Sequence, residues 1–258
     1  MTYIRKYCYL GDRVIIDEHA APAWGKGGRR SAARAATSED QQKLNDRHAA
    51  ERLRLKILAN FDMGSDSFVT LTMPRGMDEE AAKKARGKFL RTMREMFAAG
   101  KFKYIAVTEK QGQWHHHLIM TYADAGVIRG TWEEAGGGRV TFSALDDSAD
   151  CWDIAEYLIT GDKGDGDSAK RARRKGARRW TCSKNLVQPV EPEPEVFERR
   201  PRSGPKLPKG YAETAFEEFN DKFGFRRRKW EYRWLDSRKK PPVYRENDRR
   251  RKRDGDNK

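Results

Sequence analysis

The densest concentration of chemically able side chains in the sequence is Trp114-His-His-His-Leu-Ile-Met120, which holds three of the chain's five histidines. On a strand, side chains alternate, so His115 and His117 face one side and His116 the other. Two imidazoles on one face, about 7 Å apart along the strand, can grip a single divalent ion. Glu109 precedes the short turn Lys110-Gln-Gly-Gln113, and hairpin pairing would bring its carboxylate beside them as a third, hard ligand. Two nitrogens and one oxygen, with positions left for water and phosphate, suit Mg2+ or Mn2+. Ligand type alone also admits zinc. His116 should point away from the ion.

Two further groups stand out. Tyr157 lies in Asp150-Cys-Trp-Asp-Ile-Ala-Glu-Tyr-Leu-Ile-Thr160. At helical spacing Asp150, Asp153 and Tyr157 share a polar face, opposite Trp152, Ala155 and Ile159. Taken alone, a tyrosine in that place reads as a half-buried packing residue. From Ser168 to Lys184 there are eight basic residues and no acidic one. There Lys170, Arg171, Arg173, Arg174, Lys175, Arg178 and Arg179 would hold phosphates, and Trp180 could stack on a base. A solvated basic loop would have the same composition.

Elements must position these groups. Ser38 followed by Gln41 has the form of a capping box, opening a helix to about Asn60 with Leu53 and Ile57 on its apolar face. Asn45, His48 and Arg52 form its polar face. Phe68-Val-Thr-Leu-Thr-Met73 reads as a strand stopped by Pro74. An amphipathic helix follows from about Asp78 to Ala99, closed by Gly100. Tyr104–Thr108 and Trp114–Thr121 form a hairpin, Arg139–Phe142 a further strand, and Ser148–Ile159 a helix. This order predicts an α+β fold, an antiparallel sheet with helices packed on one face. Residues 1–66 read as an N-terminal extension with one helix, and 67–188 as the catalytic domain. Residues 189–235 read as a Pro-rich linker, a short helix at Ala212–Phe219 and a strand at Arg228–Trp234 returning to the core. Residues 236–258 read as a disordered basic tail.

Composition limits the partners. Lys and Arg number 54 against 39 Asp and Glu, a net charge of +15, which favours a polyanion. No apolar run approaches the 18 residues of a membrane span, and the start MTYIRKYCYLGD has no signal-like apolar region. Nucleic acid is the better partner. Cys8, Cys151 and Cys182 are widely spaced, so neither a disulfide framework nor a structural zinc site is expected, and a reducing cytoplasm is the default. The Gly-rich run Trp24-Gly-Lys-Gly-Gly-Arg-Arg30 lacks phosphate-loop spacing, and no ATPase motif occurs.

Taken together, Phe68–Met73, the His115-x-His117 strand and the Tyr157 helix resemble the HUH endonucleases. The likeness is to the single-tyrosine rolling-circle replication initiators of small bacterial phages, plasmids and integrated elements. It covers roughly Leu53 to Leu186, with similar wording in Ala177–Leu186 and, more weakly, in Asn220–Phe225. Two places depart from the pattern. His116 replaces a bulky apolar residue, and Thr160 stands where the family often has Lys three residues after the tyrosine. If the helix ends early and the chain turns at Gly161, Lys163 is an accessory candidate, alongside Asp153.

The resemblance implies an RRM-like HUH fold and transesterification on single-stranded DNA at an origin hairpin. Tyr157 would attack the scissile phosphorus and release a free 3′-OH primer, leaving a 5′-phosphotyrosine able to rejoin strands. A phenol of pKa about 10 is only ~0.1% ionised at pH 7, so positioning, the ion's field and a proton acceptor must supply the rest. Unwinding and extension would fall to a host helicase and polymerase. Two other readings fit parts of the sequence: a non-catalytic nucleic-acid-binding module, and a metal-dependent hydrolase with no covalent intermediate.

Overall fold

The computed structural model describes residues 2–21, 39–145, 151–161, 179–220, 224–236 and 238–244. Their elements run β1 (Thr2–Leu10), β2 (Arg13–Ala21), α1 (Glu39–Leu58), β3 (Ser67–Thr72), α2 (Glu79–Met96), β4 (Tyr104–Gln111) and β5 (Gln113–Met120). Then come α3 (Ala125–Glu134), β6 (Val140–Ala144), α4 (Trp152–Thr160), β7 (Thr181–Cys182), β8 (Glu195–Phe197), β9 (Tyr211–Asn220) and β10 (Arg226–Trp234). The architecture is α+β, as expected. The chain divides into two compact units, one of Thr37–Leu186 and one of Met1–Ala36 with Val187–Lys258.

In the Thr37–Leu186 unit the strands order as β6-β3-β5-β4-β7, all neighbours antiparallel. The histidine strand β5 is therefore central. One face carries Val69, Leu71, Leu118, Met120 and Ala106, which form a core with Ala82, Ala85, Phe89, Leu90 and Met93 of α2 and with Ile128 and Trp132 of α3. The apolar positions of α2 recur at three- and four-residue spacing, which lines one helix face. Asp78 caps α2 by accepting from Ala81 N at 2.7 Å, satisfying one of the free N–H groups of the first turn. Helix α1 packs against α4, with Leu53 and Ile57 buried as the sequence indicates.

Helix α3 has no counterpart in the sequence reading. Asp124 starts it by accepting from Gly126 N at 2.7 Å. It is short, and Gly126 and Gly130 weaken its helix signal; Trp132 anchors it, its Nε1 donating to Thr72 O at 3.2 Å.

The other unit is a second antiparallel sheet in the order β8-β1-β2-β10-β9. Tyr7, Val14, Ile16 and Trp230 form its small apolar core. Beside them Arg5 donates from Nη2 to Glu18 Oε2 at 2.6 Å, with both side chains at most 4% exposed. Two expectations are corrected here. The N-terminal residues hold the β1–β2 hairpin in addition to a helix. The helix read at Ala212–Phe219 is part of strand β9, and β10 pairs with β2 rather than returning to the histidine sheet. Pairing along β10 satisfies the β9 backbone, and Phe216 packs on Trp230 with ring centroids 5.3 Å apart. Such tertiary pairing overrides the helix-forming Ala and Glu content of the segment. Most of the region read as a basic tail lies outside the described residues.

Candidate active site

The turn between β4 and β5 sets the site. Gly112 lies at φ +71°, a left-handed conformation that favours glycine. Gln111 pairs with Gln113 across it, and the register then runs Glu109 to His115 and Val107 to His117. A slip of one residue would turn each side chain to the other face. On the far side of β5, Thr72 pairs with His115 and Thr70 with His117. Directly paired residues share a face, so Glu109, His115, His117, Thr70 and Thr72 lie together, opposite the α2–α3 core.

Side-chain contacts agree with this pairing. Glu109 Oε1 accepts from His117 Nε2 at 2.5 Å. The His115 and His117 rings stand nearly parallel, 14° apart, with centroids 6.4 Å apart. Thr70 Oγ1 is hydrogen-bonded to His117 Nδ1 at 3.0 Å and Thr72 Oγ1 to His115 Nδ1 at 3.1 Å. Phe68 stacks on the His117 ring. Burial holds the His115 imidazole below its usual pKa, and neighbouring His117 adds to this, against Glu109 and a hydrogen bond with the Gln111 backbone. A neutral imidazole is the form that binds a metal ion.

Helix α4 delivers Tyr157 to the same face. Its hydroxyl is 3.3 Å from His117 Nε2, and the two rings meet edge-on at 74°. Ala155, Leu158 and Ile159 are buried, which fixes the rotation of the helix and so the direction of Tyr157. Gly161, at φ +79°, closes the helix by donating to Tyr157 O at 2.8 Å. The early stop at Gly161 is therefore present; Lys163 itself lies outside the described residues. Thr160 Oγ1 donates back to Glu156 O at 2.9 Å, and Asp153 is exposed.

His116 lies on the opposite face, fully buried. Its Nδ1 is 2.8 Å from Thr108 Oγ1 and its Nε2 is 3.1 Å from Ala82 O. Arg86 Nη1 donates to the same Thr108 hydroxyl at 2.5 Å. The ring thus ties α2 to the sheet, and burial, with the Arg86 charge nearby, pushes its pKa down to about 3.

Of the basic run, Lys170, Arg171, Arg173, Arg174, Lys175 and Arg178 lie outside the described residues. Arg179 is ion-paired with Asp46 of α1, and Trp180 is half-buried. Sequence reading gives no part to Thr70, Thr72, Thr108 or Arg86. The alternation of Thr70 and Thr72 along β3 is the available signal, but only the β3–β5 register gives it meaning.

The donor set suits a hard divalent cation. Both imidazoles have Nδ1 engaged by hydroxyls, leaving Nε2 for a ligand bond, and a carboxylate already reaches His117 Nε2. Among the described residues no three His, Cys, Asp or Glu side chains yet surround a common point at ligand spacing. A cation would replace the Glu109–His117 hydrogen bond by bonds from both groups.

Cys8, Cys151 and Cys182 are free, and no described helix is long and apolar enough to cross a membrane. No curated protein and no solved structure matches the chain. Residues 66–160 match the family model of replication-associated protein ORF2. That segment contains β3, β5 and α4, so the part of the chain that brings the histidines and Tyr157 together is the part that is similar to replication-associated proteins.

Proposed function

We propose that the protein is a replication initiator of the HUH single-tyrosine type that nicks single-stranded DNA at a rolling-circle origin. The observation that carries this reading is the approach of the Tyr157 hydroxyl to His117 on the face that holds Glu109 and His115. The match of residues 66–160 to replication-associated proteins supports it.

In this mechanism Tyr157 forms a bond from its phenolic oxygen to the scissile phosphorus as the bond to the 3′ oxygen breaks. The phenol gives up its proton to a base and the departing oxygen takes one up, so the products are a 5′-phosphotyrosine and a free 3′-OH. Helix α4 and the buried Leu158 and Ile159 hold the nucleophile, which substitutes positioning for the low ionisation of a phenol. His115, His117 and Glu109 would hold Mg2+ or Mn2+, which supplies positive charge to a non-bridging phosphate oxygen. The phosphodiester energy is retained in the phosphotyrosine, so attack by a 3′-OH rejoins strands. Host helicase and polymerase would supply unwinding and extension.

Cleavage of end-labelled single-stranded origin DNA tests the reading. Wild-type protein should cleave with Mn2+ or Mg2+ and stop on chelation, and Tyr157→Phe should bind the DNA but not cut it. Cleavage by Tyr157→Phe at the wild-type rate would overturn the nucleophile assignment.

A further inference from the structure

The two threonines of β3 stand directly across from the two histidines of β5, and each hydroxyl meets an Nδ1 at 3.0 or 3.1 Å. Two such pairs in successive same-face positions form a ladder. The register Thr70–His117 and Thr72–His115 makes it a property of the sheet rather than of one side chain. A hydroxyl both donates and accepts, whereas a carboxylate or a main-chain carbonyl only accepts.

That difference matters at His117. Its Nε2 donates to Glu109 Oε1, so in the neutral ring Nδ1 has no proton and must accept from Thr70. A cation taking Nε2 requires the opposite tautomer, with Nδ1–H donating to Thr70. The geometry points to Thr70 and Thr72 as positioning residues that aim Nε2 of both imidazoles into the site and allow each ring to hold either tautomer. The proton leaves Nε2 and appears on Nδ1, and the threonine O–H rotates from donor to acceptor. No proton is gained or lost by the ring. Because the partners are neutral hydroxyls, they also leave the imidazoles less basic than carboxylate partners would, which suits a readily exchanged hard cation.

The metal part of this inference rests on the proposed function; the tautomer part does not. The full-length protein is compared with Thr70→Val and Thr72→Val, which replace the hydroxyl by a methyl, and with Thr70→Ser and Thr72→Ser, which keep it. Nitrogen-15 NMR of the imidazoles reads the tautomers in metal-free protein and after Mg2+ addition, and Mn2+ affinity is measured by calorimetry. The expected result is Nε2–H at His117 without metal and Nδ1–H with it. Mn2+ affinity should fall on the order of 10-fold or more in the valine variants and return in the serine variants. Unchanged affinity and tautomers in the valine variants, or no rescue by serine, overturn the inference. If wild-type protein binds no Mn2+, the metal reading of the site fails. The tautomers then decide alone: a single Nε2–H form that becomes mixed in Thr70→Val upholds the positioning role, and identical spectra reject it.

Discussion

The three consecutive histidines have two different jobs, and alternation along β5 separates them. His115 and His117 share a face with Glu109, as hairpin pairing predicts from the sequence, while His116 enters the core. Replacing His115 or His117 by Ala should abolish cleavage and weaken Mn2+ binding, which calorimetry and a cleavage assay would show together. His116 behaves oppositely and acts through stability. Its folded pKa of about 3 lies below the unfolded value of about 6.5. Above pH about 6.5 both states are neutral and its contribution is fully present. As the pH falls from there towards about 3 only the unfolded chain takes up the proton, so stability declines at up to about 1.4 kcal/mol per pH unit. Urea unfolding of metal-free protein at stepped pH should show that extra slope in wild type and not in His116→Gln. Parallel curves would mean the buried ring is not held neutral. The facing of the histidines is legible in the sequence because a strand's period is local. The partners Thr70, Thr72 and Thr108 are not, because each acquires its role only through pairing with another strand.

At the scale of elements, turns decide whether correct residues meet. Gly112 allows the tight β4–β5 connection that sets Glu109 against His115. Gly112→Val should lower the melting temperature, since a side chain in the left-handed region costs roughly 1–2 kcal/mol, and cleavage should suffer with it. Gly112→Asn, which tolerates that conformation better, should be affected less; equal melting of wild type and Gly112→Val would show that the turn carries no strain. Strongly periodic elements are readable from the chain: α2 from its apolar stripe, and β3, β4 and β5 from β-forming runs ended by Pro74 or by the Gly112 turn. Tyr211–Asn220 reads wrongly as helix because Ala212–Phe219 is rich in helix formers. Its strand state comes from pairing with β10 and from the Phe216–Trp230 contact, neither of which is local. Helix α3 escapes detection for a related reason, since its anchor is the contact of Trp132 with a distant strand.

For the whole molecule, the second sheet is the least legible feature, because its β1–β2 hairpin comes from one end of the chain and β10–β9 from the other. Net charge is legible directly. With +15 on the chain, binding to a single strand should depend steeply on salt. Neutralising Arg173, Arg174 and Arg178 should reduce the log–log slope by about 0.7 for each phosphate that is no longer neutralised. Arg179→Gln should lower affinity less, because its guanidinium is ion-paired with Asp46. A slope unchanged by the triple substitution would assign that run to solvent.

Whether Tyr157 is the nucleophile is tested most directly by locating the covalent bond. Wild-type protein incubated with single-stranded origin DNA and Mn2+ should give a species that survives boiling in detergent. Its mass should equal the protein plus the 3′ portion of the oligonucleotide. Digestion should place the nucleotide on the peptide bearing Tyr157, and not on those bearing Tyr104, Tyr122, Tyr211, Tyr232 or Tyr244. A label on any other residue, or complete cleavage with no adduct at any time, would contradict the account.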